Sequence, residues 1–503
     1  KISGFEMMLR RLFRGCWRPE ILRQTPRPVR RFGLRSDLTI AAAALLGGAG
    51  AVRCDETEIS RLLRKAVEHS RPGMIAEIET GRAVLEQVNE VLYSHFGHLK
   101  LSSIDPMAVF FNVLEQTKLR TEAWKQQRAL KLVGAMTDLE GDVVLFRDLL
   151  RHAKLADVAY ATDEEALRKQ LEALRWRFVT GTCDARPQRP AHFLAIQGKK
   201  VVLGVAGTHT IADCLTDCLC DSSPFQNGFA HRGAAEASTW LCAEYGESLK
   251  YLEEKGYEVV LVGHSLGAAV AAACCVQLRT SGLAARCVCY APPATVDQRS
   301  AREAANYITS VVHDDDVIPR MSILSLLELY KVVLSYNWLP AAKTLVAKIR
   351  GDPSSAWLLE MGDSAFGTLE TQLEVAWKEQ ASHVVEELKK LETPRQQAQA
   401  LSIPGFIVHL YRCPGGYGVM KALDTNFLSI ELSSSMVTDH FLSGYISALE
   451  TLTKAVEATH HSKLEWLRSR GGDGAEQVHE VAKKVEELVL KARSTLQARP
   501  DTS

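Results

Sequence analysis

The chain has no excess of either charge. Sixty lysines and arginines stand against 60 aspartates and glutamates, a formal net charge of zero. This excludes the broad basic field with which a nucleic-acid-binding protein neutralises phosphates, so no nucleic-acid partner is expected. No internal repeat organises the chain. Uninterrupted apolar runs of the roughly 20 residues that span a bilayer are also missing. The nearest approach, Leu38 to Val52, is shorter and built of small residues; it reads as a second sorting element, a marginal anchor or an Ala/Gly linker. The 12 cysteines follow neither a disulfide framework nor a standard zinc spacing. Cys274, Cys275, Cys287 and Cys289 sit in apolar runs and read as buried free thiols of a reducing compartment. Cys214, Cys218 and Cys220 lie close together, but no paired Cys/His set follows them. No metal and no cofactor is expected.

Acidic residues are scarce near the start. From Met8 to Arg35 there are nine arginines (Arg10, Arg11, Arg14, Arg18, Arg23, Arg27, Arg30, Arg31 and Arg35) and one acid, Glu20. That bias reads as an organelle presequence, with mitochondria favoured, and Lys1 to Glu6 ahead of it read as leader. The expected segments are 1–54 as a targeting region with a short apolar run and 55–150 as a helical region. An α/β domain with a helical insert at 321–401 follows at 151–449, and 450–503 forms a helical tail.

Hydrophobic residues make up 46% of the chain and charged residues 24%, ordinary for a globular protein with a large core. Helical spacing marks the first part, as in Ile59, Leu62, Leu63 and Val67. After Ala156 short apolar runs alternate with helical stretches such as Ala234–Glu253. The runs are Ala191–Ile196, Lys200–Val205, Glu258–Val262, Arg286–Tyr290 and Asn306–Val312. Strands alternating with helices predict a mostly parallel central sheet wrapped by helices. The helix-rich stretch from Met321 interrupts this rhythm, and strands are expected again at Gly405–Tyr411 and Phe427–Leu432. The amphipathic tail (Val478, Val481, Val485, Leu488, Leu490) offers a packing surface, or one that pairs with a protein partner.

One strand is followed by Gly263, His264, Ser265, Leu266 and Gly267, then by an alanine-rich helix. A serine hydroxyl is a poor nucleophile unless a base adjoins it and it projects clear of the sheet. A sharp strand-to-helix turn provides the projection, and Gly263 and Gly267 remove the Cβ atoms that would clash across it. Such an elbow needs an acid and then a histidine further along the chain. Asp314, Asp315 and Asp316 stand at the end of a strand, the place from which an orienting carboxylate is drawn. Of the later histidines, His383, His460, His461 and His479 lie in polar helical stretches, and His409 lies inside an apolar strand as a satisfied core residue. His440, in a loop after a late strand, is the expected base. Small residues from Leu203 to Thr210 close an earlier strand; backbone N–H groups there, with that of Leu266, are candidates for an oxyanion hole.

Taken in order, Val205 to Asp217, His231 to Gly233, Val262 to Ala268, Tyr290 to Pro293, Asp316 to Arg320 and Met436 to His440, with Tyr445 beyond, resemble the class 3 lipases, a family of α/β-hydrolases. The resemblance covers about Asp157 to Leu449. It implies Ser265 as nucleophile, Asp316 as the acid among the three aspartates, His440 as base, and Thr208 and Leu266 at the oxyanion. Ala206 stands where the family often has arginine. The long insert is similar to that of sn-1-specific diacylglycerol lipases, and the chain is expected to be without their four-helix membrane domain. The implied activity is hydrolysis of acylglycerol esters, with lipid at a membrane or droplet surface as partner and peripheral or single-anchor membrane association. Phospholipase A1 or galactolipid lipase activity, and a non-catalytic scaffold of an organelle membrane assembly, are the alternatives. Apolar residues between Ser322 and Leu339 are expected to serve either as part of a lid or as helix core.

Overall fold

The structure, a computed structural model, describes residues 143–186, 188–208, 222–351, 400–413, 416–430, 432–433 and 435–470, with isolated helical positions at 108–115 and 370–378. The segment expected as a presequence, nearly all of the region expected to be helical at 55–150 up to residue 142, Cys214, Cys218, Cys220, His383, His479, the side chains of His460 and His461, and the residues beyond 470 lie outside the described residues.

The elements run α1 (Val143–Val158), α2 (Glu164–Ala173), β1 (Arg177–Thr182), β2 (His192–Gln197), β3 (Lys200–Val205), β4 (Ser222–Phe225), β5 (Gly228–His231), α3 (Arg232–Glu254), β6 (Glu258–His264), α4 (Leu266–Thr280), β7 (Arg286–Tyr290), β8 (Val296–Asp297), β9 (Ile308–His313), α5 (Ile323–Ser335), α6 (Leu339–Gly351), β10 (Leu401–Ser402), β11 (Phe406–Cys413), β12 (Gly416–Ala422) and α7 (Leu442–Arg470). The chain divides into two units. One comprises 1–121, 326–396 and 432–434; the other comprises 122–325, 397–431 and 435–503.

In the second unit an eight-stranded sheet has the order β1-β2-β3-β6-β7-β9-β11-β12. From β3 to β11 neighbouring strands pair in parallel, while β1, β2 and β12 add antiparallel edges. Because a strand turns alternate side chains to opposite faces, β6 feeds two cores at once. Val260 and Val262 join α1, α2 and α7 on one face, and Val259 and Leu261 join α3 and α4 on the other. With both faces covered, the central strands read as continuous apolar runs instead of alternating ones. Full burial of each such Val or Leu contributes about 1.5–3 kcal/mol. Cys274, Cys275, Cys287 and Cys289 are buried in this packing as free thiols.

In the first unit Trp338 stacks on Phe111 at 6.3 Å and meets Trp377 edge-on at 5.9 Å, and Lys343 pairs with Glu374 at 2.5 Å. Of the insert's apolar residues, Leu326, Tyr330, Val333 and Leu334 are buried, whereas Leu324 and Val332 are exposed.

The sheet departs from expectation at three places. The strand expected at Phe427–Leu432 is not one: a 3-10 turn occupies Asp424–Phe427. Asn426 Oδ1 accepts the Leu423 N–H at 2.8 Å, so a side chain takes up a donor that a strand would offer a neighbour. Phe427 and Ile430 are buried without a ladder. The last strand is instead β12, whose Gly416, Gly418 and Lys421 mask a strand pattern. At the other edge, β1 escaped notice because it is largely exposed. Helices α1 and α7 run through the expected boundaries at 150 and 449, so neither is a break in the fold. Among the described residues no helix is long and apolar enough to cross a membrane.

Candidate active site

Strand β6 stops at His264, and Ser265 follows with φ 58° and ψ −131°, a conformation that costs a non-glycine residue about 1–3 kcal/mol. Hydrogen bonds hold it there. The Ser265 N–H donates to the Tyr290 carbonyl at 2.9 Å, and the Ser265 carbonyl accepts the Ala268 N–H at 2.9 Å. The two glycines make the turn possible: a Cβ on Gly263 would overlap the Gly267 carbonyl, and one on Gly267 the Val205 carbonyl. Helix α4 therefore starts hard against the sheet, and Ala268, Ala269, Ala271, Ala272 and Ala273 are all buried.

His440 closes a 3-10 turn at Thr438–His440, and its Nε2 lies 3.0 Å from Ser265 Oγ. Its Nδ1 lies 3.0 and 3.1 Å from the two carboxylate oxygens of Asp316. Asp316 also accepts the Tyr445 hydroxyl at 2.5 Å and the Ile318 N–H at 2.9 Å. Ser265, Asp316 and His440 are buried. Burial disfavours a charge on Asp316, but the His440 ring, the Tyr445 hydroxyl and the Ile318 N–H outweigh it and hold the carboxyl below its ordinary range. An ionised carboxylate at Nδ1 keeps the imidazole proton there, leaving the Nε2 lone pair to the serine hydroxyl. Of the three aspartates, the one on His440 is thus Asp316. His409 lies elsewhere, with its Nε2 3.0 Å from the Asp314 carbonyl.

His264 stands in the elbow with a role that sequence reasoning missed. Its Nε2 is 2.8 Å from the His440 carbonyl, an acceptor only, so Nε2 carries the proton. Its Nδ1 then accepts from the Tyr160 hydroxyl at 2.9 Å, and the same hydroxyl accepts the Gly207 N–H at 3.1 Å. Burial, reinforced by the neighbouring His440, pushes the His264 pKa down to about 3, so the ring stays neutral. One hydrogen-bond chain therefore ties the loop after β3 to the elbow and to the turn carrying His440. Tyr160 carries no sequence signal that distinguishes it. Tyr445 lies one helical turn beyond His440, which is the only hint of its contact.

The expected oxyanion residues lie beside Ser265. A Cβ on Gly207 would be 3.2 Å from Ser265 Cβ, which brings the loop leading into half-buried Thr208 next to the hydroxyl. Leu266 is the first residue of α4. A first-turn N–H has no partner within its own helix, and the helix end carries partial positive charge.

A parallel sheet between two helical layers, with a strained serine elbow at the strand ends, is an α/β-hydrolase. Residues 202–326 match the family model for class 3 lipases. It is 31% identical over 147 residues to diacylglycerol lipase-beta of Mus musculus, covering 27% of this chain and 22% of that protein. To secreted mono- and diacylglycerol lipase A of Penicillium cyclopium it is 30% identical over 146 residues, covering 25% of this chain and 44% of that protein. Among solved structures, the mono- and diacylglycerol lipase from Aspergillus oryzae aligns with a TM-score of 0.32 at 24% identity, over 35% of this chain and 73% of that one. The chain spans less than half the length of the curated relatives it matches.

Proposed function

We propose that this chain is a serine hydrolase of carboxylic esters acting on acylglycerols of the diacylglycerol class. The observation that carries the reading is the buried relay from Ser265 Oγ through His440 to Asp316, with contacts of 3.0 Å on either side of the ring. In this mechanism Ser265 Oγ bonds to the ester carbonyl carbon while its proton passes to His440 Nε2. Asp316 keeps the ring in the tautomer that accepts this proton and offsets the positive charge that results. The N–H groups of Leu266 and Thr208 receive the oxyanion. The imidazolium then protonates the departing alcohol, and water activated by the same Nε2 releases the acid. The substrate class is supported by the relatives, whose printed names are those of mono- and diacylglycerol lipases.

The test is a fluorophosphonate probe together with fatty-acid release from a diacylglycerol in mixed micelles. Wild type should take the label and release acid, and Ser265→Ala should do neither. A folded wild-type sample that takes no label overturns the reading.

A further inference from the structure

Arg412, on β11, has no place in the relay, yet its guanidinium joins both of the loops that form it. Nη1 donates to Asp314 Oδ2 at 2.7 Å, to Ser435 Oγ at 3.1 Å and to Asp439 Oδ2 at 3.2 Å, while Nη2 donates to Asp439 Oδ1. The Arg412 main-chain N–H also reaches Asp314 Oδ1 at 3.3 Å. Asp314 stands two residues before Asp316, and Asp439 directly precedes His440.

A cation is needed at this point. The carboxylate groups of Asp314, Asp315 and Asp439, all buried, approach within 4.8 Å of one another. Like charges so close and so dry repel. Burial lifts the Asp439 pKa even with Arg412 beside it, and the carboxylates of Asp439 and Asp314, working against burial, hold the guanidinium proton more firmly than usual. Asp314 is also held at a φ of 40°, in the left-handed region. Arg320 braces the acid loop from within, donating to the Asp316 carbonyl at 2.7 Å and the Asp314 carbonyl at 2.8 Å. Further bonds also join the two loops: His313 Nδ1 lies 3.1 Å from the Asp439 carbonyl, the Asp315 N–H donates to Asp439 Oδ2 at 3.3 Å, and the Val317 N–H donates to the Met436 carbonyl at 3.1 Å.

We propose that Arg412 is a positioning residue that clamps the Asp314–Asp316 loop to the Ser435–His440 turn and thereby sets the contact between Asp316 and His440. The proposal rests on the reading of that pair as catalytic. Its planar fork is what the task demands, since one Lys ammonium does not span two carboxylates in the same geometry.

Three variants of the full chain test it: Arg412→Met, Arg412→Lys, and Arg412→Met combined with Asp439→Asn. On a short soluble nitrophenyl ester, Arg412→Met should lower kcat about 10- to 100-fold, the scale of an ångström misplacement, with KM within about twofold of wild type. Arg412→Lys should fall between the two. The double variant should regain activity over Arg412→Met, because removing one buried charge relieves the repulsion, and a packing role for Arg412 does not predict that rescue. Hydrogen exchange gives a readout independent of catalysis: in Arg412→Met, residues 313–320 and 435–441 should exchange faster together while β6 and β7 are unchanged. The clamp is overturned if Arg412→Met keeps more than half of wild-type kcat, if the double variant is no better than Arg412→Met, or if only one loop or neither loosens. Should wild type itself take no fluorophosphonate label, the catalytic reading fails, and the exchange experiment still decides the clamp.

Discussion

Replacing Tyr160 with Phe deletes one oxygen from the turn after α1 and breaks the chain from Gly207 through His264 to His440. The hydroxyl accepts the Gly207 N–H at 3.1 Å and donates to His264 Nδ1 at 2.9 Å. Without it a main-chain donor and a ring acceptor in a partly buried site both lose their partner, at about 1–3 kcal/mol each. Some relaxation of the loop recovers part of that, so the net loss should be about 2–3 kcal/mol. For a cooperative unit of 150–250 residues this lowers Tm by roughly 5–10 °C. The loop beside Ser265 loses its tether as well, and kcat/KM should drop about tenfold, which corresponds to about 1.4 kcal/mol of transition-state stabilisation. Urea unfolding and initial rates on a soluble ester measure the two effects. Stability within about 0.5 kcal/mol of wild type, with kcat unchanged, would refute the wiring inferred for Tyr160 and His264.

Gly263→Ala puts a Cβ into the Gly267 carbonyl, so the elbow must open. Activity should fall to background and stability by several kcal/mol, and a stable, active variant would show that the turn tolerates what its geometry forbids. A pH effect on stability follows from two histidines. Burial holds His264 at a pKa of about 3 and His409 at about 4, against 6.5 for the free side chain. Below pH 6.5 the unfolded chain binds protons that the fold refuses, so this contribution to stability is intact above pH 6.5 and is lost as the pH falls toward 4. Between pH 7.5 and 5 the two rings together should cost up to about 4 kcal/mol, with His409→Gln removing about half of that slope. Urea midpoints that stay flat across this range would contradict it.

The central strands were legible because they are buried on both faces and so read as unbroken apolar runs. The elbow was legible because its two glycines and its alanines answer a local steric demand. Contacts between distant segments were not. Tyr160 lies 104 residues from His264, and only the tertiary fold brings the two together. Arg412 falls one residue past the strand expected at Gly405–Tyr411, and nothing local marks it as facing Asp314 and Asp439. His440 was approached through a strand at 427–432 that does not exist, yet it stands in the expected place because the turn before α7 brings it back over β6. The apolar spacing of Phe427 and Ile430 serves a buried turn as well as it would serve a strand, and spacing alone cannot tell the two apart.

Asp316 and His440 are separated by 124 residues of chain, while short bonds at each end fix where they meet. A doubling of a flexible connection costs only about 0.6 kcal/mol in closure entropy. The part of the span ahead of β10, which leaves out β11, β12 and Arg412, is thus cheap to lengthen, shorten or rebuild, and a new surface can be grafted there without retuning the contact between Asp316 and His440.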